Sequence, residues 1–220
     1  MASSARWSVR VTVVALLLAP LATQVGCVNA LAGMLYVIKG NVVGAEYNGL
    51  RGKKVAIVCR PVVQLQYASG NVSGTLATTL GFLLKKNLGK RVTVIDPDKV
   101  AEWTDEHSWN DFSEIGKALD ADVVIGIDLQ DFRLYSGQTL YQGRAKGTMK
   151  VYDVKNDGEV VFQKSLPQFV YPPNTGIPTG EKSEEDFRRQ FTFELADMMG
   201  RCFYEHDLSA DFARDATAFR

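Results

Sequence analysis

Hydrophobic and polar positions change their period several times along this chain, and each change marks an element. Val55 to Cys59 is an unbroken apolar run, which predicts a strand buried on both faces. Arg60-Pro61 ends it, because proline cannot extend a central ladder. Val72, Leu76, Leu80, Leu83, Leu84 and Leu88 recur at helical spacing and predict a helix over 73–87, closed by Gly89 as a left-handed cap. The run RVTVID at 91–96 reads as a second strand stopped by Pro97. A polar segment with Trp103, His107 and Trp109 follows, and Asn110 is placed to cap a second helix over 111–119, with Phe112, Ile115 and Leu119 facing the core. VVIGIDL at 123–129, extended by 132–135, is the third strand.

From there the pattern is strands alone. Residues 139–154 form a long strand with two distinct faces. Tyr141, Gly143, Ala145, Gly147, Met149 and Val151 share one; Gln142, Arg144, Lys146, Thr148, Lys150 and Tyr152 share the other. The small residues let a helix approach closely. The basic row has two readings: contact with an acidic partner or glycan, or a solvated face whose charge protects an edge. Asn156-Asp157-Gly158 is a hairpin turn, since Asp-Gly readily takes positive φ. A fifth strand over 159–168 and a proline-rich loop over 171–180 come next. Ser183 with Asp186 resembles a capping box and opens a last helix to about Tyr204, with Phe187, Phe191, Leu195, Met198 and Cys202 on one stripe. The expected fold is α/β, with α+β character in its second half. Its order is β-α-β-α-β-β-β-α, and its mixed sheet joins right-handed parallel crossovers to an antiparallel meander.

The N-terminus has a different character. Arg6 and Arg10 precede an apolar run, Val11 to Leu21, and Gly26-Cys27 follows a few residues later, which together read as an export signal. Gly26-Cys27 resembles the lipobox of bacterial lipoproteins, in which the cysteine carries the acyl chains, although Gln24 stands where that family prefers leucine. Two other outcomes stay open. Ala30-Leu31-Ala32 offers an ordinary cleavage site, and the uncharged stretch from Val11 to Ile38 is long enough to remain as an uncleaved anchor. All three put the domain on the same side of the membrane, because Arg6 and Arg10 stay cytoplasmic. The division is therefore 1–26 signal or anchor, 27–51 an apolar arm, 52–205 one domain and 206–220 a polar tail.

Composition narrows the function. Formal net charge is zero, and removal of the signal leaves 23 basic against 25 acidic residues. That balance gives no reason to expect nucleic-acid binding. Three cysteines make neither a disulfide framework nor a zinc site. With Cys27 lipidated, Cys59 and Cys202 are either two buried thiols or, in an oxidising compartment, a pair.

The apolar strand at 54–59, Val94-Ile95-Asp96-Pro97, Ala118-Leu119-Asp120-Ala121-Asp122-Val123-Val124, and Tyr152-Asp153 followed by Asp157-Gly158-Glu159-Val160-Val161 together carry a family likeness. Over 52–205 the chain resembles the small α/β domain of the Tol-system propeller protein, the curli-secretion lipoproteins and the lipoprotein activators of penicillin-binding proteins. The resemblance implies envelope assembly or binding, not a reaction. The chain departs from the secretion-channel members of that group, because no long amphipathic strands suit a membrane barrel, and a pore is therefore not expected.

Candidate chemistry is sparse. Ser69 to Thr75 sits between a strand and a helix start, where backbone N–H groups hold anions, but it lacks the Walker spacing. His107 lies among Asp105, Glu106 and the two tryptophans, and His206 lies beside Glu205 and Asp207. Asp96, Asp98, Asp128 and Asp131 lie near strand ends, where open α/β sheets place ligands. No nucleophile and base accompany them. The expectation is a non-enzymatic lipoprotein without cofactor or metal, on the periplasmic face of a bacterial membrane, the outer ahead of the inner. It binds an envelope protein or complex through Trp103, Trp109, Arg144, Lys146 and Lys150. The alternative is a periplasmic hydrolase or ligand-binding enzyme using the strand-end carboxylates and His107.

Overall fold

The apolar run at 55–58 is buried throughout and becomes the centre of a sheet. The computed structural model describes residues 42–61 and 71–207. The chain divides into two units, Met1–Val42 and Val43–Arg220, and the elements described here belong to the second. The signal with Cys27, the arm as far as residue 41, the loop 62–70 and the tail from 208 lie outside the described residues.

Strand β1 (Lys53–Pro61) pairs in parallel with β2 (Val92–Val94) on one side and with β3 (Val123–Ser136) on the other. β3 is antiparallel to β4 (Leu140–Asp153), and β4 to β5 (Glu159–Tyr171). A short β6 (Ile177–Pro178) pairs with the start of β4. The order β2-β1-β3-β4-β5 joins a parallel half to an antiparallel half, as the change of hydrophobic period implied.

Helices α1 (Val72–Leu88) and α4 (Glu184–Gly200) close the main core against one face of this sheet. Gly89 ends α1 at φ 57°, a conformation that costs glycine little. The small-residue row of β4 admits α4: a Cβ on Gly143 would sit 2.4 Å from the Phe191 ring. Phe191 in turn stacks with Phe169 and Phe187. Helices α2 (Pro97–Glu106) and α3 (Phe112–Ala118) lie over the opposite face. They bury a smaller core of Ala56, Val58, Ile95, Val100, Ile115 and Val124. The hairpin after β4 turns through Asp157 at φ 54° and Gly158 at φ 78°.

Several boundaries differ from the sequence reading. The segment around Trp103 is a helix and not a polar loop, which makes the order of the main elements β-α-β-α-α-β-β-β-β-α. Pro97, read as a stop, is instead the first helical residue, where its missing N–H costs nothing. Asp96 accepts from the Asp98 N–H as the cap. The last helix ends at Gly200, so Cys202 is buried in the turn that follows it. β5 continues to Tyr171, through Pro167, which an edge strand tolerates. Residues 45–51, assigned by sequence to the arm, pack on the domain. Tyr47 donates to the Cys202 carbonyl and lies against Phe162 and Phe203, and Leu50 is buried. Among the described residues no helix is long and apolar enough to cross a membrane.

Candidate functional site

The helices cover the two faces of the sheet unequally. The smaller core reaches only as far as Tyr152 and Val154 on the β4 side and takes nothing from β5. Among the described residues, the remainder of that face is bare. β4 alternates along its length, with Tyr141, Gly143, Ala145, Gly147, Met149 and Val151 buried. Gln142, Arg144, Thr148 and Lys150 are half-buried on the other face, and Lys146 is exposed. Cross-strand register turns this row into a surface. Arg60, Asp128, Thr148 and Ser165 are successive partners across four strands, as are Val58, Gly126, Lys150 and Gln163. Arg144 is opposite Arg133 and Val170, and Lys146 is opposite Asp131.

Charge on this face is predominantly positive. Arg60 pairs with Asp128 at 2.8 Å and Arg133 with Asp131 at 2.7 Å. Arg144 donates to Gln142 at 3.3 Å. Lys146 and Lys150 form no ion pair among the described residues. Val160 and Val161, 42% and 39% exposed, add an apolar margin at the outer strand.

Trp109 is brought to the edge of this surface by a contact that sequence reasoning missed. The Arg60 guanidinium lies 5.6 Å from the Trp109 ring and 4.8 Å from Phe112, a cation–π arrangement. It also donates to the Asn110 carbonyl. Phe112 stacks on Tyr152 and occupies the space above Gly126, where a Cβ would lie 2.8 Å from its ring. A chain of contacts therefore runs from Trp109 through Arg60 and Phe112 to the bare part of the sheet. The signal was present as an arginine at the end of an apolar strand, but nothing in one dimension paired it with residue 109. Trp103 is on α2, half-buried against the smaller core, and stacks on His107 at 4.7 Å. The structure thus gathers Trp109, Arg144, Lys146 and Lys150 around one face, while Trp103 packs on α2 against His107 and the smaller core.

The candidate catalytic groups have structural occupations. His107 lies against Trp103, its Nδ1 3.0 Å from the Trp103 carbonyl. Asp96 caps α2, and Asp128 and Asp131 hold arginines. Among the described residues no three His, Cys, Asp or Glu side chains gather as metal ligands. Burial pushes the Cys59 thiol up to about 12 and Cys202 to about 11, so both stay protonated at neutral pH. They are unpaired. A cleft of about 440 Å³ opens where β1 ends, between the start of α1 and α2. Among the described residues its lining does not favour an anion. The Gly74 N–H is already taken by the Asn71 side chain at 2.9 Å, and Asp98 and Asp105 line the opposite wall.

No family model matches the chain, and no curated protein does. Among solved structures it is similar to the PelC dodecamer from Paraburkholderia phytofirmans, with a TM-score of 0.44 and 13% identity over 74% of this chain and 96% of that one. It is similar to lipoprotein GNA1162 from Neisseria meningitidis, with a TM-score of 0.40, 11% identity and coverage of 66% and 97%. A minor lipoprotein from Acinetobacter baumannii gives a TM-score of 0.33, 17% identity and coverage of 69% and 90%. Two of these three are lipoproteins by name.

Proposed function

We propose that this chain is a non-enzymatic lipoprotein of the bacterial envelope that binds another envelope protein, as a scaffold, through the bare face of its sheet. The chain's own residues support this reading. The observation that carries it is the β4 row, uncovered and with Lys146 and Lys150 unpaired among the described residues, bordered by Trp109 and the exposed Val160 and Val161. A face that is positive and edged with apolar groups suits an acidic protein surface with an apolar rim. The Tol, curli and penicillin-binding-protein activator lipoproteins, which the sequence resembles, are the finer group to which this reading assigns the domain. Tethering by Cys27 places it on the periplasmic face, at the outer membrane in preference to the inner.

Two sets of substitutions in the living cell separate this reading from a hydrolase. Charge reversal at Arg144, Lys146 and Lys150 removes function while the fold persists. Combined replacement of Asp96, Asp98 and His107 by alanine, all away from the bare face, leaves function in place wherever circular dichroism shows a folded chain. The opposite pattern, loss with the second set and none with the first, sinks the scaffold and favours the enzyme.

A further inference from the structure

Cations without ion-pair partners also collect at the end of the domain where the N-terminal segment joins it. Lys85 and Lys86 are in the last turn of α1, and Lys90 and Arg91 are in the turn that follows. Gly52 donates to the Arg91 carbonyl at 2.7 Å, which brings Arg51 beside them, and Lys53 is next to Val92 in the sheet. Among the described residues Arg51 and Arg91 line one depression with Ala45 and Asn87, whose single carboxylate is Glu205, and Lys86 borders a second that Glu194, Asp197 and Asp207 also line. Arg51, Lys53, Lys85, Lys86, Lys90 and Arg91 form no ion pair among the described residues. At the same end of the strands Lys54 pairs with Asp120 and Lys155 with Asp122, so the acidic groups there are already matched by other cations, and farther off Lys117 pairs with Asp157 and Lys164 with Glu46. Phe82, 59% exposed, stands one turn before Lys85 and Lys86 on the same side of α1.

Covalent geometry limits where this end can go. The compact unit begins at Val43. Fifteen residues, 28 to 42, separate it from Cys27, a contour of at most about 50 Å. With an uncleaved anchor the uncharged stretch ends at Ile38, four residues before the unit. In either case the basic end is held near the bilayer at high effective concentration, and unpaired cations beside an exposed aromatic are the chemistry of an anionic lipid surface.

We propose that this end, formed by Arg51, Lys53, Lys85, Lys86, Lys90, Arg91 and Phe82, seats the domain on the anionic headgroups of the membrane that holds its N-terminus. The inference rests on the envelope-tether reading above. It orients the molecule: the N-terminal ends of the parallel strands face the lipid, and α2 and the β1 C-terminal end face away. Each neutralised cation weakens the seating about fivefold.

The test uses the full chain reconstituted into vesicles of phosphatidylcholine alone or with phosphatidylglycerol. A fluorophore is attached at Asn87→Cys or at Glu102→Cys, and headgroup-labelled lipid is the quencher. The expected result is strong quenching at 87 on phosphatidylglycerol vesicles, falling with salt and on neutral lipid, with little quenching at 102. The variant R51Q/K85Q/K86Q/K90Q loses the lipid-dependent component while still floating with the vesicles. A chain that floats on both lipids with equal quenching at the two positions overturns the seating and leaves the tether standing. A chain that floats on neither overturns both.

Discussion

The two faces of β4 belong to one strand and obey different rules. On the core face, Gly143 gives way so that α4 can close over it, and Phe191 occupies the space a side chain there would need, while a Cβ on Gly147 would meet the Asp128 carbonyl of β3 at 2.7 Å. On the other face Gln142, Arg144, Lys146, Thr148 and Lys150 meet no helix among the described residues. Residues of the first face are constrained by volume. On the second face Gln142 donates to the Pro172 carbonyl and Arg144 to Gln142, but Lys146 and Lys150 form no ion pair among the described residues, which is why their charge reads as a property meant for something outside the domain.

Changes on each side of this divide sharpen the contrast. Phe191→Ala empties the space over Gly143 and is expected to destabilise the fold by about 3–5 kcal/mol, measured by urea unfolding. Gly143→Val fills the same space twice and costs about 1–3 kcal/mol, unless the ring moves aside. Asp122 ties the corner where β1, β3 and the hairpin after β4 meet, and Asp122→Asn costs about 1 kcal/mol at neutral pH. Its carboxylate accepts from Lys155 at 2.6 Å and from the Lys54 N–H at 2.7 Å. The hydrogen bond with Lys155 comes first, then that of Lys54, in holding its pKa below the ordinary 3.8. A depressed carboxylate stabilises the fold above that ordinary value, and the contribution is lost as pH falls through the depressed one. The wild type therefore loses stability below about pH 4 more steeply than Asp122→Asn, as midpoints across an acid series will show. Replacing Lys146 and Lys150 together by glutamine changes stability by no more than about 0.5 kcal/mol. An effect of 2 kcal/mol or more, on the order of a core change, contradicts the division of the strand into two faces.

Much of this division was legible in one dimension, because a strand's period is two and β4 keeps it for fourteen residues. The change from parallel to antiparallel pairing was legible too, from helices between the early strands and a turn between the later ones. Helix α2 was not. Its only well-buried side chain is Val100, so no apolar stripe announced it, and Pro97 carries the same letter whether it stops a strand or starts a helix. The end of α4 was misplaced because Cys202, Phe203 and Tyr204 are buried and apolar, continuing the stripe after the backbone has left the helix. The Arg60 contacts were invisible for a further reason. They join residues 49 to 68 positions apart, through register and helix placement that only the folded chain defines.

The face itself is tested most directly by photocrosslinking in the living envelope. A benzophenone side chain at Gln163, exposed on the bare face, is compared with one at Thr78, exposed on α1. The account predicts one discrete adduct from position 163, absent at 78 and lost when Lys146 and Lys150 are both changed to glutamate. Equal adducts from the two positions, or an adduct at 163 indifferent to that charge reversal, would contradict it.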